Sequence, residues 1–170
     1  MEALLISLND IKTYDRIDPK FSDERFNSYL TRIQQRNLRD FLGDALYEDF
    51  MQNLSSEKYQ TLLNGAKYEY NNESIRYYGL KPLLIYWWLS VYVREGSMFN
   101  TGYGSVEFAN NTQQNFQASK EKERTALDHL GMAQKYQNDA IKFLDTNFST
   151  YELWEGKEVK SGVQFTMFKV

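Results

Sequence analysis

The chain offers few side chains that could do chemistry: one histidine, His129, and no cysteine at all. Without thiols, disulfide frameworks and thiolate metal sites are excluded. A lone imidazole also argues against zinc and iron, which are held by Cys and His sets. A single histidine on a helix reads as a surface or packing residue. Carboxylates are plentiful, and Asp40/Asp44 and Glu48/Asp49 are close enough in sequence to suggest an oxygen-only Mg²⁺ site. Such pairs more often form solvated helix-face charge, and that is the reading adopted. Nucleophilic catalysis needs an activated Ser, Thr or Lys beside a base, and no Gly-x-Ser-x-Gly occurs. Gly102-Tyr103-Gly104-Ser105 lacks the Gly-Lys-Ser/Thr of a phosphate-cradling loop. Its glycines suit a sharp bend or a close backbone approach. The expectation is no enzyme, no metal and no cofactor. The rival is a hydrolase working with two carboxylates alone.

These residues sit on elements that patterning outlines. Ser7 caps a short helix with an acid three residues on, reaching about Asp15. Ser22, followed by Asp23 and Glu24, opens a helix whose stripe of Phe26, Leu30, Ile33, Phe41 and Leu42 runs to a stop at Gly43. Asp44 caps a segment with Leu46, Phe50 and Leu54, and Ser55-Ser56 starts another, ending at Asn64-Gly65. A small β-hairpin near 67–78 reads as strand 67–70, turn Asn71-Asn72-Glu73-Ser74 and strand 75–78. Pro82 fits the first turn of the next helix, Leu83 to Arg94, which is apolar on nearly every face and so central and buried. Residues 96–117 read as one long loop rich in Gly, Asn and Gln. A helix over about 118–147 follows, with Leu130, Ala133, Tyr136, Ala140, Phe143 and Leu144 as its buried stripe. Gly131 inside it suggests close helix packing. Val163 to Met167 alternates as a strand, and Ser161-Gly162 turns it back on 157–160. The fold class is mainly α: a compact helical bundle around a buried central helix, with the hairpin, the loop 96–117 and a C-terminal β-hairpin or tail. The domain division is 1–148, a helical domain, and 149–170, a tail extension.

Bulk properties narrow the function. The 170 residues carry a net charge of −3 and 16% aromatic side chains. Lysines and arginines alternate with acids, as in Lys120-Glu121-Lys122-Glu123-Arg124, so no basic stripe exists to grip phosphates. The N-terminus has no basic n-region and no long apolar stretch, and Leu83 to Val93 is about half of a bilayer span. The expectation is a cytoplasm-like compartment with no membrane. Tyr and Trp excess points to half-buried contact surface. Aromatic and apolar residues in unlikely loop and tail positions are therefore the candidate interface: Phe99, Tyr103, Phe108 and Phe116, then Trp154, Val163, Phe165 and Met167. Packing within the chain's own domain is the alternative for each.

The phrase Asn9-Asp10-Ile11-Lys12-Thr13-Tyr14 with Arg16-Ile17-Asp18, ahead of a capped helix, resembles the start of tailed-phage head–tail connector proteins, the adaptor or head-completion family. Gly79-Leu80-Lys81-Pro82-Leu83-Leu84-Ile85-Tyr86-Trp87-Trp88, and later Gly131-Met132-Ala133-Gln134-Lys135-Tyr136, are similar to Bacteroidetes-phage members. The resemblance implies a virion structural protein of the neck, assembled in the host cytoplasm. Identical subunits, commonly twelve, would form a ring below the portal protein, extend the DNA channel and give tail or neck proteins a platform. Double-stranded DNA would pass without sequence-specific binding, which a mildly acidic surface suits. A ring at another tier of the neck or tail, or a wall-degrading hydrolase of the virion, are the other readings.

Overall fold

The computed structural model describes residues 3–18, 21–95, 98–101, 104–107 and 112–156, with side chains over 3–18, 21–95 and 120–156. The protein is mainly helical. Helices α1 (Leu8–Lys12), α2 (Asp23–Ile33), α3 (Arg39–Leu42), α4 (Asp44–Gln52) and α5 (Glu57–Asn64) precede an antiparallel pair, β1 (Ala66–Tyr70) and β2 (Glu73–Tyr77). Helix α6 (Leu80–Glu95), a second antiparallel pair β3 (Met98–Thr101) and β4 (Gly104–Glu107), and α7 (Thr112–Thr146) follow.

Local chemistry accounts for most boundaries. Ser7 and Asp10 form a reciprocal capping box on α1, and the Ser22 hydroxyl accepts from the Arg25 N–H at the start of α2. Gly43, at φ +82°, ends α3 and starts α4. Asp44 lies inside α4 and does not cap it; its carboxylate takes Arg39 Nε at 2.7 Å. Asn71 and Asn72 both adopt positive φ, as a two-residue hairpin turn requires.

The helix expected from Ser22 to Gly43 is interrupted by a π-helical turn, Gln34–Leu38. There Gln34 is fully buried: its Oε1 accepts from the Leu5 N–H and its Nε2 donates to the Ala3 carbonyl, both at 2.9 Å. One side-chain amide thus takes the place of a neighbouring strand for residues 3–5.

Helix α6 lies in the middle of the core and packs on α7, α2, α5 and α1. Two aromatic clusters flank it. Trp88 stacks on Tyr92 with centroids 5.1 Å apart and meets Phe21 and Phe26. Phe143 of α7 stacks on Tyr77 at 4.2 Å and touches Tyr68 and Tyr151.

Three expectations need correction. Residues 96–117 are not one loop, because 98–101 pairs with 104–107 and α7 already begins at Thr112. A two-residue connection opening with Gly is itself a tight-hairpin signature, which the glycine-rich composition obscured. The boundary at 148 divides what packing joins: Tyr151 and Trp154 are buried in the same core as α6. Gly131 is solvent-facing, and a Cβ there would meet nothing within 4 Å, so close helix packing is not its reason. The C-terminal hairpin expected over 157–167 lies outside the described residues.

Candidate functional site

Two places stand out because each fixes the root of an extension. The first is the end of α6. Arg25 donates through Nη2 to the Glu95 carbonyl at 3.1 Å and to the Tyr29 hydroxyl at 2.8 Å. Arg32 grips the Glu95 carboxylate with Nη2, 2.9 and 3.0 Å from its two oxygens. Both guanidinium groups lie over the Tyr29 ring, and Arg25 also covers Phe21. Two cations, a ring and the last carbonyl of a helix make a coherent anchor, since positive charge suits a helix C-terminus. The β3–β4 hairpin begins three residues later.

The second root is residues 147–156. Tyr151 donates its hydroxyl to the Lys58 carbonyl at 2.7 Å, and Trp154 donates Nε1 to Asp145 Oδ1 at 2.7 Å while packing on Phe41. Burial, with Tyr59 adjacent, pushes the Tyr151 phenol up to about 12. Beneath it the Tyr59 hydroxyl donates to Asp49, whose carboxylate also takes Asn53 and Lys58. These donors, the Tyr59 hydroxyl first, hold Asp49 below the usual carboxylate range. Fourteen residues, Lys157 to Val170, continue the sequence beyond this point.

The interface residues expected from sequence fall unevenly on this frame. Trp154 is 1% exposed and belongs to the chain's own core, where packing and not exposure explains it. Phe99 pairs with Val106 through the backbone of β3 and β4, and Phe116 lies in the first turns of α7. Tyr103, Phe108, Val163, Phe165 and Met167 lie outside the described residues.

Most of the candidate chemical groups are taken up by other side chains. The His129 ring is largely buried beside Tyr86, its Nε2 3.8 Å from Asp15 Oδ2. Burial lowers its pKa against the opposing pull of Asp15 and Asp128, so the ring is neutral near pH 7 and the Asp15 contact is not an ion pair. Arg39 bridges Asp44 and Glu48, leaving the exposed Asp40 apart. Among the described residues, no group of three or more His, Cys, Asp or Glu side chains converges on a point that could hold a metal ion. No helix among them is long and apolar enough to cross a membrane.

One surface was not foreseen. Tyr14, Tyr86, Tyr136 and Tyr78 form a continuous ledge: Tyr86 stacks on Tyr136 at 5.7 Å, Tyr14 meets Tyr86 edge-on, and Tyr136 meets Tyr78 edge-on. Arg76 covers Tyr78, which is 51% exposed. No periodicity in the sequence announces it, because Tyr78 precedes α6, Tyr86 lies on α6, Tyr136 on α7 and Tyr14 beyond α1.

Comparison with curated proteins and with solved structures finds no match. A family model described as a family of unknown function (DUF6712) matches residues 38–162, from the last residue of the π-helical turn through α7 and past Trp154. The chain belongs to that family.

Proposed function

We propose that this chain is a structural building block of a phage neck: a connector subunit that joins identical copies in a ring below the portal and offers tail or neck proteins a platform. The observation that carries the reading is the pair of built roots. A helical body that holds the bases of two extensions, at Glu95 and at Trp154, is what a subunit needs to place contact segments on its neighbours. The sequence of those extensions suits permanent contact. Phe99, Phe108 and Phe116 supply apolar anchors, and Val163, Phe165 and Met167 recur at strand spacing as a C-terminal hairpin or added strand. The resemblance at Asn9 to Asp18 and along α6 points the same way.

The test is electron microscopy of the full chain mixed with the portal protein of the same virus. Rings seated on the portal are expected, and they are expected to disappear when residues 157–170 are removed. The deletion must start after Gly156, because an earlier cut would remove Tyr151 and Trp154 from the core. A purified chain that hydrolyses peptidoglycan, or that never associates with portal or with itself, would sink the proposal.

A further inference from the structure

The open edge of β1 is self-complementary. In the β1–β2 register, Tyr70 pairs with Glu73 across the two-residue turn, then Tyr68 with Ile75 and Ala66 with Tyr77. Alternation makes these the pairs that exchange backbone bonds, so Lys67 and Glu69 direct their N–H and C=O groups outward. Among the described residues, neither makes another backbone hydrogen bond, and neither side chain forms an ion pair. Both are exposed. A bare edge of this kind is a template for another strand.

We infer that the occupant is β1 of a second copy, paired antiparallel about a two-fold axis at Tyr68. The charges select this register. With Tyr68 opposite Tyr68 of the other copy, Lys67 lies opposite Glu69 and Glu69 opposite Lys67, each pair exchanging two backbone bonds. Sliding the copies one way opposes Lys67 to itself, and sliding the other way opposes Glu69 to itself. Opposite charges directly across a strand pair stabilise it and like charges disfavour it. The outer edge of β2 has no such match, since pairing about Ile75 would set Ser74 against Arg76.

A four-stranded sheet would place the two hairpin centres about 10 Å apart, a separation close to that of packed helices. The contact is isologous, unlike the head-to-tail contacts of a ring, and it does not rest on the ring reading. An edge five residues long forms a small interface, so the dimer is a weak one that dilution separates.

Sedimentation velocity of the full chain over a concentration series tests this. The wild type is expected to form dimers. Lys67→Glu and Glu69→Lys should each raise the dissociation constant about tenfold, since two symmetric attractions become repulsions. The double variant K67E/E69K should restore wild-type association, and an equimolar mixture of the two single variants should form heterodimers. Circular dichroism melts check that the variants remain folded, as exposed outer-face positions should allow. A wild type that stays monomeric at every concentration, single variants that dimerise as well as the wild type, or a double variant no better than the singles would each overturn the inference.

Discussion

Gly65 and Gly79 cross backbone to backbone at the foot of the β1–β2 hairpin. Both have positive φ, +91° and +85°. A Cβ on Gly65 would fall on the Tyr77 carbonyl oxygen and lie 2.9 Å from the Gly79 nitrogen; one on Gly79 would fall on the Leu63 carbonyl and lie 2.7 Å from the Gly65 nitrogen. Alanine at either site combines left-handed strain with a clash against backbone that cannot swing away. Each variant is expected to lose about 3 kcal/mol or more in urea unfolding. Ala variants as stable as the wild type would show that the crossing can relax.

Gly131 presents the opposite case. Its φ is ordinary for a helix and nothing stands near the missing Cβ. Gly131→Ala should therefore stabilise the chain by about 1 kcal/mol, the cost of a glycine inside a helix. A loss of stability on the same denaturant curve would contradict this.

Gln34→Leu should destabilise the chain although it places an apolar residue at an apolar depth. The Leu5 N–H and the Ala3 carbonyl would both lose their partner, at a cost of about 1–3 kcal/mol for the buried member. Hydrogen exchange is the sharper measurement: the Leu5 amide should lose protection before the helices do.

Stability should fall on mild acidification through His129. Its folded pKa lies below the unfolded value of 6.5 because burial disfavours the charged ring. A depressed folded pKa means that the unfolded chain binds the proton more readily. The contribution is fully present above 6.5 and is lost as pH falls toward and through the folded value. His129→Gln should flatten the melting temperature between about pH 7 and about pH 5. An unchanged slope would assign the acid response elsewhere.

Trp154→Ala and a stop after Gly156 should behave differently although they touch neighbouring parts of the chain. The first removes a buried indole from against Phe41 and should cost about 3–5 kcal/mol. The second should leave the thermal melt unchanged. A truncated chain that melts early would mean that residues 157–170 complete this fold and do not serve another molecule.

What was legible in the sequence was local. Ser7 and Ser22 announced their helices, Gly43 its stop, the run from Asn71 a turn, though Glu73 and Ser74 at its end pair in β2, and the apolar circumference of residues 83–94 a central helix. What escaped was contact between distant residues. Gln34 meets Leu5 across 29 positions, Arg32 meets Glu95 across 63, and Tyr151 meets Lys58 across 93. No periodicity encodes such pairings, because each depends on where whole helices come to rest. Trp154 shows the cost of that blindness: an indole near a chain terminus has the same signature whether it docks inward or outward. Composition misled once more at 98–107, where glycine content suggested irregular backbone and hid two short strands.

The clamp of Arg25 and Arg32 on Glu95 has a mechanical meaning. A tug on the hairpin that follows reaches α6 at its last residue, the point where an unsupported helix frays. Here that residue is bolted sideways to α2, so the load spreads across two helices and the Trp88 rings between them. A lever needs a fulcrum, and here it is the seam between α6 and α2.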